Sequence, residues 1–155
     1  MKEKNDILFG FHSVYEALKA GKRNFYNILI SKNRSSNRAG KIEDIARKRK
    51  IKIEIADPEL LDTMTDFSNH QGLVARTSFF PIKKASEVIT LVQKKKEPCF
   101  ILVLENIEDP HNLGALIRTA LCAGVDYILI PKNRSALPSS SVSRSSAGAM
   151  EHADI

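Results

Sequence analysis

Tryptophan is absent from these 155 residues, aromatic side chains make up 6%, and cysteine occurs twice. Each scarcity excludes something. With so few aromatics, base stacking can be only a minor means of holding a nucleic acid. Cys99 and Cys122 have no Cys-x-x-Cys partner and no His at metal spacing. In the apolar stretches PCFILVL and TALCAGV they read as small buried hydrophobes rather than as a disulfide or a nucleophile. His12 and His111 also lack a Cys or Asp at metal spacing, so no metal is expected. No apolar run approaches the roughly 20 residues that span a bilayer. The start, MKEKNDILFGF, lacks the apolar centre and small-residue cleavage site of a signal peptide. A cytoplasmic protein without a membrane partner is the expectation.

What is present is enough for a packed core: 43% of the residues are hydrophobic. The length suits one ordinary domain or two small ones. The net charge of +6 is unevenly placed. Residues 1–97 hold 20 Lys/Arg against 12 Asp/Glu, whereas residues 98–155 hold 4 against 6. A basic part joined to a slightly acidic one suggests that the first part meets a polyanion. A solvated lysine-rich surface gives the same count, so charge alone does not decide.

Periodicity divides the chain. His12–Ala20 has a helical face, stopped by Gly21. Tyr26–Ile30 reads as a strand, and residues 31–40 as a polar, turn-rich loop. Ile42, Ile45 and Ala46 recur at helical spacing, ahead of the basic run Arg47–Lys50. Ile51, Ile53 and Ile55 alternate with polar residues as in a half-buried strand. Asp57-Pro58 opens a short helix, and Leu73–Thr77 is a strand again. This predicts a small α/β unit over residues 1–80. Residues 81–97 form a linker, with a short helix over Ala85–Val92. Residues 98–155 read as βαβαβ: a strand over Phe100–Leu104 covered on both faces, a helix over Leu113–Ala123, a strand over Tyr127–Ile130, a helix over Ser139–Ala147 and a closing strand over Glu151–Ile155. That is the start of a doubly wound parallel sheet.

The informative stretch is LENIEDPHNLGALIRTALCAG, residues 104–124. It places a loop at the carboxyl end of a buried strand, where open α/β sheets bind ligands. Pro110 stiffens the loop, and Asn112 stands just ahead of the helix, able to cap it or to aim its amide outward. Gly114 lets another backbone or a phosphate come close. The helix start offers N–H groups to an anion, and Arg118 follows as the one basic residue between Glu97 and Lys132.

Asp109, Pro110, Asn112, Gly114, Arg118, Thr119, Ala120 and Gly124 together resemble the first signature of the SpoU (TrmH-like) family of knotted SPOUT methyltransferases. YILIP (127–131), KNRSA (132–136) and SSAGAMEH (145–152) resemble the elements that follow it. GFHSVYEAL (10–18) and NHQGLVAR (69–76) resemble the substrate-binding domain of the ribosomal-RNA branch.

The resemblance implies a small ribosomal-protein-like α/β sandwich followed by the first part of a knotted methyltransferase sheet. It implies methyl transfer from S-adenosylmethionine to a ribose 2′-hydroxyl, with a guanosine of large-subunit ribosomal RNA as the target. It makes Asn112 and Arg118 catalytic-site residues. A guanidinium stays protonated in proteins, so the role of Arg118 would be electrostatic, with Asn112 holding it or the ribose. Lys32, Arg34 and Arg38 of the polar loop, and the turn residues His70 and Gln71, are candidate RNA contacts. For Asn112 a plain helix cap, for Arg118 an ion pair with Glu105 or Glu108, and for His70 and Gln71 a structural turn are the competing readings.

Two later signatures of the family, a glycine-rich segment with a catalytic-site Glu and a Ser-Leu-Asn segment that ties the knot, are not found in these residues. They form the cofactor pocket, so no cofactor-binding residue is expected here, and the 155 residues alone are expected to be inactive. Homodimers form through that knotted region in the family. The alternatives are a noncatalytic RNA-binding module, or an enzyme acting on transfer RNA.

Overall fold

The computed structural model describes residues 5–33 and 36–155, with the backbone alone for residues 36–38. Its first part is a four-stranded sheet of β1 (Asp6–Phe9), β2 (Phe25–Ser31), β3 (Lys52–Ala56) and β4 (Leu73–Thr77), in the spatial order β1-β4-β2-β3. β2 and β3 are parallel, while β4 runs antiparallel to β1 and β2. Alternation along β2 sets the layers. Ile28 and Ile30 face α1 (Phe11–Ala20) and α2 (Ser36–Lys48), packing with Val14, Leu18, Ile42 and Ala46. Leu29 faces the other way, onto Leu61 of α3 (Pro58–Met64) and Val74. The result is a three-layered α/β sandwich.

Two expectations for this part change. The chain enters through a strand, β1, before the first helix; four residues, DILF, are too few to show a period. The segment expected as loop over residues 31–40 is helical from Ser36, so Arg38 lies in the first turn of α2 rather than in a loop. Packing explains the difference. Ala39 is buried alongside Ile42 and Ala46, and tertiary contact extends a helix into residues of weak propensity.

The second part has its own core. The parallel pair β5 (Ile101–Val103) and β6 (Tyr127–Leu129) is linked through α5 (Pro110–Cys122). Leu113, Ile117 and Ala120 of α5 meet Ile128, Met150 of a 3-10 turn (Ala149–His152), and Val142 of α6 (Ser140–Ser145). Phe80 packs in this second core, and α4 (Ala85–Lys94) fills the connector.

Three readings need correction here. β5 is not covered on both faces: with one neighbouring strand, it leaves Val103 68% exposed and Phe100, just before it, 53% exposed. Cys122 is exposed and Cys99 only half-buried; Cys122 falls on the outer stripe of α5, four residues after Arg118. The closing segment is a 3-10 turn and then extended chain, not a strand. One ladder-like bond remains, from the Ile128 N–H to the Asp154 carbonyl at 2.8 Å.

The two parts meet around Arg23, whose side chain is fully buried. Its Nε and Nη2 donate to the two carboxylate oxygens of Glu151 at 2.8 and 3.1 Å. Its Nη1 donates to Asp6 at 2.7 Å and to the Ser78 carbonyl at 3.0 Å. The Phe80 ring lies 5.6 Å from the guanidinium carbon. Beside it, the Lys22 ammonium donates to the His152 and Ala153 carbonyls and to Asp154, and Lys83 reaches Asp154 at 2.6 Å. Gly148 closes the contact: with φ at +84°, a Cβ there would stand 2.6 Å from the His12 carbonyl oxygen.

Truncating Arg23 strands two carboxylates, one of them fully buried. Arg23→Ala should cost about 3–5 kcal/mol, read as a fall in the urea midpoint; an unchanged midpoint would remove the ion pair as the fastening between the parts. Asp154 gives a pH signature. Burial raises its carboxyl pKa, but hydrogen bonds from Lys83 and Lys22 outweigh this and hold it below the usual value. A depressed folded pKa contributes stability that is complete above the unfolded value, near pH 4, and lost as pH falls through the folded one. Melting temperatures of Asp154→Asn should therefore vary less than wild type between about pH 5 and pH 2. Parallel curves would count against this.

Candidate functional site

The site grows out of the carboxyl end of β5. Leu104 still bonds to β6 through its N–H and the Leu129 carbonyl, at 2.9 Å. The chain then turns outward, and Glu105, Asn106, Glu108, Asp109, His111 and Asn112 are all exposed. Asp109, not Asn112, caps α5: its Oδ1 accepts the His111 N–H at 2.9 Å, with Pro110 at the first helical position. A carboxylate at that position answers the helix dipole, and it releases the Asn112 side chain from capping. Asn112 is therefore the third residue of the helix, with its amide exposed.

At about 100° per residue, the faces of α5 follow from its sequence. Leu113, Gly114, Ile117 and Ala120 are buried, while His111, Asn112, Ala115, Arg118, Thr119 and Cys122 are exposed. His111 and Arg118, seven residues apart, share one stripe and lie roughly 10.5 Å apart along the axis. Asn112 borders the exposed arc on the other side, about 120° round from Arg118, and no hydrogen bond joins the two. Arg118 makes no ion pair with Glu105, Glu108 or any other described residue.

Gly114 serves packing. A Cβ there would lie 2.0 Å from Ser145 Oγ and 2.8 Å from the Ser146 nitrogen. The close partner is thus the backbone of α6, which Ser145 ties to α5 by donating to the Pro110 carbonyl at 2.9 Å.

The residues of the first part gather on one rim of its sheet, where β1, β2 and β3 end and β4 begins. The His70 ring is engaged at both nitrogens. Nδ1 accepts the Gly72 N–H at 3.0 Å, and Nε2 lies 2.9 Å from Asp62. This brace shapes the turn. Gln71, held at φ +53°, is exposed and accepts the Phe11 N–H through Oε1, leaving its NH2 outward. Lys32 is exposed and pairs with Asp57 at 2.8 Å. Arg34 lies outside the described residues, as does the side chain of Arg38. Arg144, which the sequence analysis did not single out, lines clefts on both sides, with Gln71 of this rim and with His111 of α5. Its guanidinium carbon is 4.6 Å from the centroid of the Phe9 ring. Among the described residues, no group of three or more His, Cys, Asp or Glu side chains could hold a metal, and no helix is long and apolar enough to cross a membrane.

An α/β sandwich with an exposed polar rim is thus joined to a parallel strand–helix unit whose Arg118 has no ion pair among the described residues. Comparison gives it a family. The model described as SpoU RNA 2'-O ribose methyltransferase substrate binding matches residues 7–82, and that of the SpoU rRNA methylase family matches residues 99–155. The chain belongs to the SpoU family. It is 30% identical, over all 155 residues, to the 23S rRNA (guanosine-2'-O-)-methyltransferase RlmB of Xanthomonas campestris, covering 62% of that protein. Its fold matches an AdoMet-bound rRNA methyltransferase from Sinorhizobium meliloti, with a TM-score of 0.74, 20% identity, and coverage of 97% of this chain and 53% of that one. The SpoU methyltransferase AviRb from Streptomyces viridochromogenes, in complex with AdoMet, gives a TM-score of 0.75 at 16% identity, covering 97% of this chain and 54% of that one. The chain thus spans about three fifths of the length of the curated relatives it matches.

Gly114→Ala tests the packing role assigned to the motif glycine. Overpacking against α6 should lower stability by about 1–3 kcal/mol, measured by chemical denaturation. A variant as stable as wild type would leave the glycine free for a ligand.

Proposed function

We propose that the whole protein transfers the methyl group of S-adenosylmethionine to a ribose 2′-hydroxyl, with a guanosine of large-subunit ribosomal RNA as its target. In this reading residues 7–82 grip the RNA, and the segment Asp109–Arg118 handles the ribose and phosphate at the reacting centre. The observation that carries it is Arg118: an exposed guanidinium with no protein partner among the described residues, on a helix that begins at the carboxyl end of a parallel strand.

In this reading these residues contribute on the acceptor side. The 2′-hydroxyl must lose a proton as it is methylated, and a phosphate lies beside it. A guanidinium stays protonated in proteins, so Arg118 serves as a fixed charge and not as a base. It grips the phosphate and stabilises the developing alkoxide. Asn112, at the other border of the exposed arc, is placed to hydrogen-bond ribose rather than Arg118. Lys32, Arg34, Arg38 and Gln71 make the outlying RNA contacts, with His70 bracing the turn. The cytoplasm as location and a homodimer as the working form belong to the same reading, and rest on the family resemblance.

In the whole protein, Arg118→Ala should lower methyl transfer by about 100-fold or more while RNA affinity changes by a few-fold at most. Single-turnover assays with labelled S-adenosylmethionine and filter binding of the RNA read the two separately. Near-normal turnover would take Arg118 out of the mechanism.

A further inference from the structure

Two open clefts meet where the two parts of the chain touch, and one side chain stands in the wall between them. The first, of about 230 Å³, is bounded by the start of α1 and by the turn before β4. The second, of about 350 Å³, lies against the first turn of α5. Arg144 lines both. It is exposed, rests on the face of Phe9, and makes no hydrogen bond or ion pair with any described residue. Among the described residues, no carboxylate lines either cleft. The polar residues lining the clefts with Arg144 are His12, Ser13, Asn69 and Gln71 in the first, and Ser68, His111, Ser141 and Ser145 in the second.

This is the chemistry of an anion site with directional donors. A guanidinium stacked on an aromatic ring is held in orientation, while its in-plane N–H groups stay free to form a two-pronged pair with phosphate oxygens. Amides, hydroxyls and imidazoles around it add donors without a competing negative charge. The position is what makes the anion a nucleic-acid backbone. On one side Gln71 of the first cleft belongs to the turn that the Ser31 N–H to Gly72 carbonyl bond at 3.0 Å and the Gly10 N–H to Leu73 carbonyl bond at 3.1 Å tie to the ends of β2 and β1, and Lys32 follows Ser31 on that rim. On the other side His111 opens the α5 stripe that leads to Arg118, roughly 10.5 Å further on. A strand gripped by the first part and presented to Arg118 has to pass Arg144.

We propose that Arg144 is a phosphodiester-binding residue, and that the paired clefts seat the backbone of single-stranded RNA between the gripped segment and the reacting nucleotide. The proposal rests on the RNA-methyltransferase reading and adds a contact from α6 that joins its two halves.

The test is fluorescence anisotropy of the 155-residue chain with a labelled single-stranded oligoribonucleotide across a series of KCl concentrations. Arg144→Ala should weaken binding about tenfold at low salt. Loss of one phosphate contact should also reduce the slope of log affinity against log salt by about 0.7. Arg144→Lys should keep most of that slope. Ser141→Glu, which keeps both Arg144 and Phe9, should weaken binding by setting a negative charge in the cleft. If wild type binds and Arg144→Ala keeps its affinity and slope, the proposal falls and the RNA reading stands. If Arg144→Ala binds weakly only because its melting temperature has dropped, while Ser141→Glu binds normally, Arg144 is a structural brace and the proposal also falls. If wild type itself does not bind the oligoribonucleotide, the RNA reading fails and takes the proposal with it.

Discussion

A guanidinium buried between two hydrophobic cores must have its donors answered, and much of the molecule follows from how Arg23 meets that demand. Desolvating an arginine costs several kcal/mol unless partners replace the water. Here they do so from both parts of the chain: Asp6 and the Ser78 carbonyl from one, Glu151 from the other. A lysine offers no planar fork to grip Glu151 at two points. One cation facing two carboxylates leaves an excess negative charge. It falls on the partly open pair, since the Asp6 side chain is 14% exposed whereas that of Glu151 is sealed. Delivering Glu151 to this position dictates the backbone before it. Gly148 takes a left-handed conformation where no side chain would fit against α1. The stretch SSAGAMEH, which looks like part of an active-site signature, acts in this chain as the seam between its two parts.

The seam decides what the charge pattern means. By count, the first part is basic and the second slightly acidic. By contact, some of the first part's cations are occupied: Lys22, Arg23, Lys32, Lys52, Lys83 and Lys95 are all in ion pairs. Several of these fasten the protein to itself; Lys95, for example, holds Asp126, which also receives the Phe100 N–H at the entrance to β5. The four basic residues of the second part, Arg118, Lys132, Arg134 and Arg144, have no ion pair among the described residues. Net charge counts paired and free cations alike, so the count points to the first part while free guanidinium groups stand on the other side of the cleft.

Legibility in the sequence followed the range of the interactions. Elements written as local periods were readable: the face of α1 and the Asp-Pro opening of α3, and β3 as a strand, although its alternation did not mark the buried face, since Ile55 is 61% exposed. The motif could be placed at a strand end because a strand, a loop and a helix are contiguous in sequence. What was not readable depended on distant residues. β1 exists because β4, almost seventy residues away, pairs with it. α2 reaches back to Ser36 because Ala39 finds the sheet. Arg144 looked like one cation in a serine-rich run, since its neighbours Phe9 and His111 are far from it in sequence. His70 needed Asp62 and Gly72 in place before its ring could be read as a brace.

The motif helix shows why such a signature mixes chemistry with packing. On α5 the residue types sort by angle. Gly114 and Ala120 lie on the buried side, where Gly114 admits the backbone of α6 to within a distance that no side chain allows. Asp109 ends the loop and caps the helix, so that Asn112 need not. Only then are His111, Asn112 and Arg118 left facing outward with their polar groups unclaimed. The close approach of α6 also brings Arg144 to the same cleft. Loss of the glycine would therefore act on ligand-facing residues without touching a ligand, because the helix that supplies Arg144 is seated on the space the missing Cβ leaves.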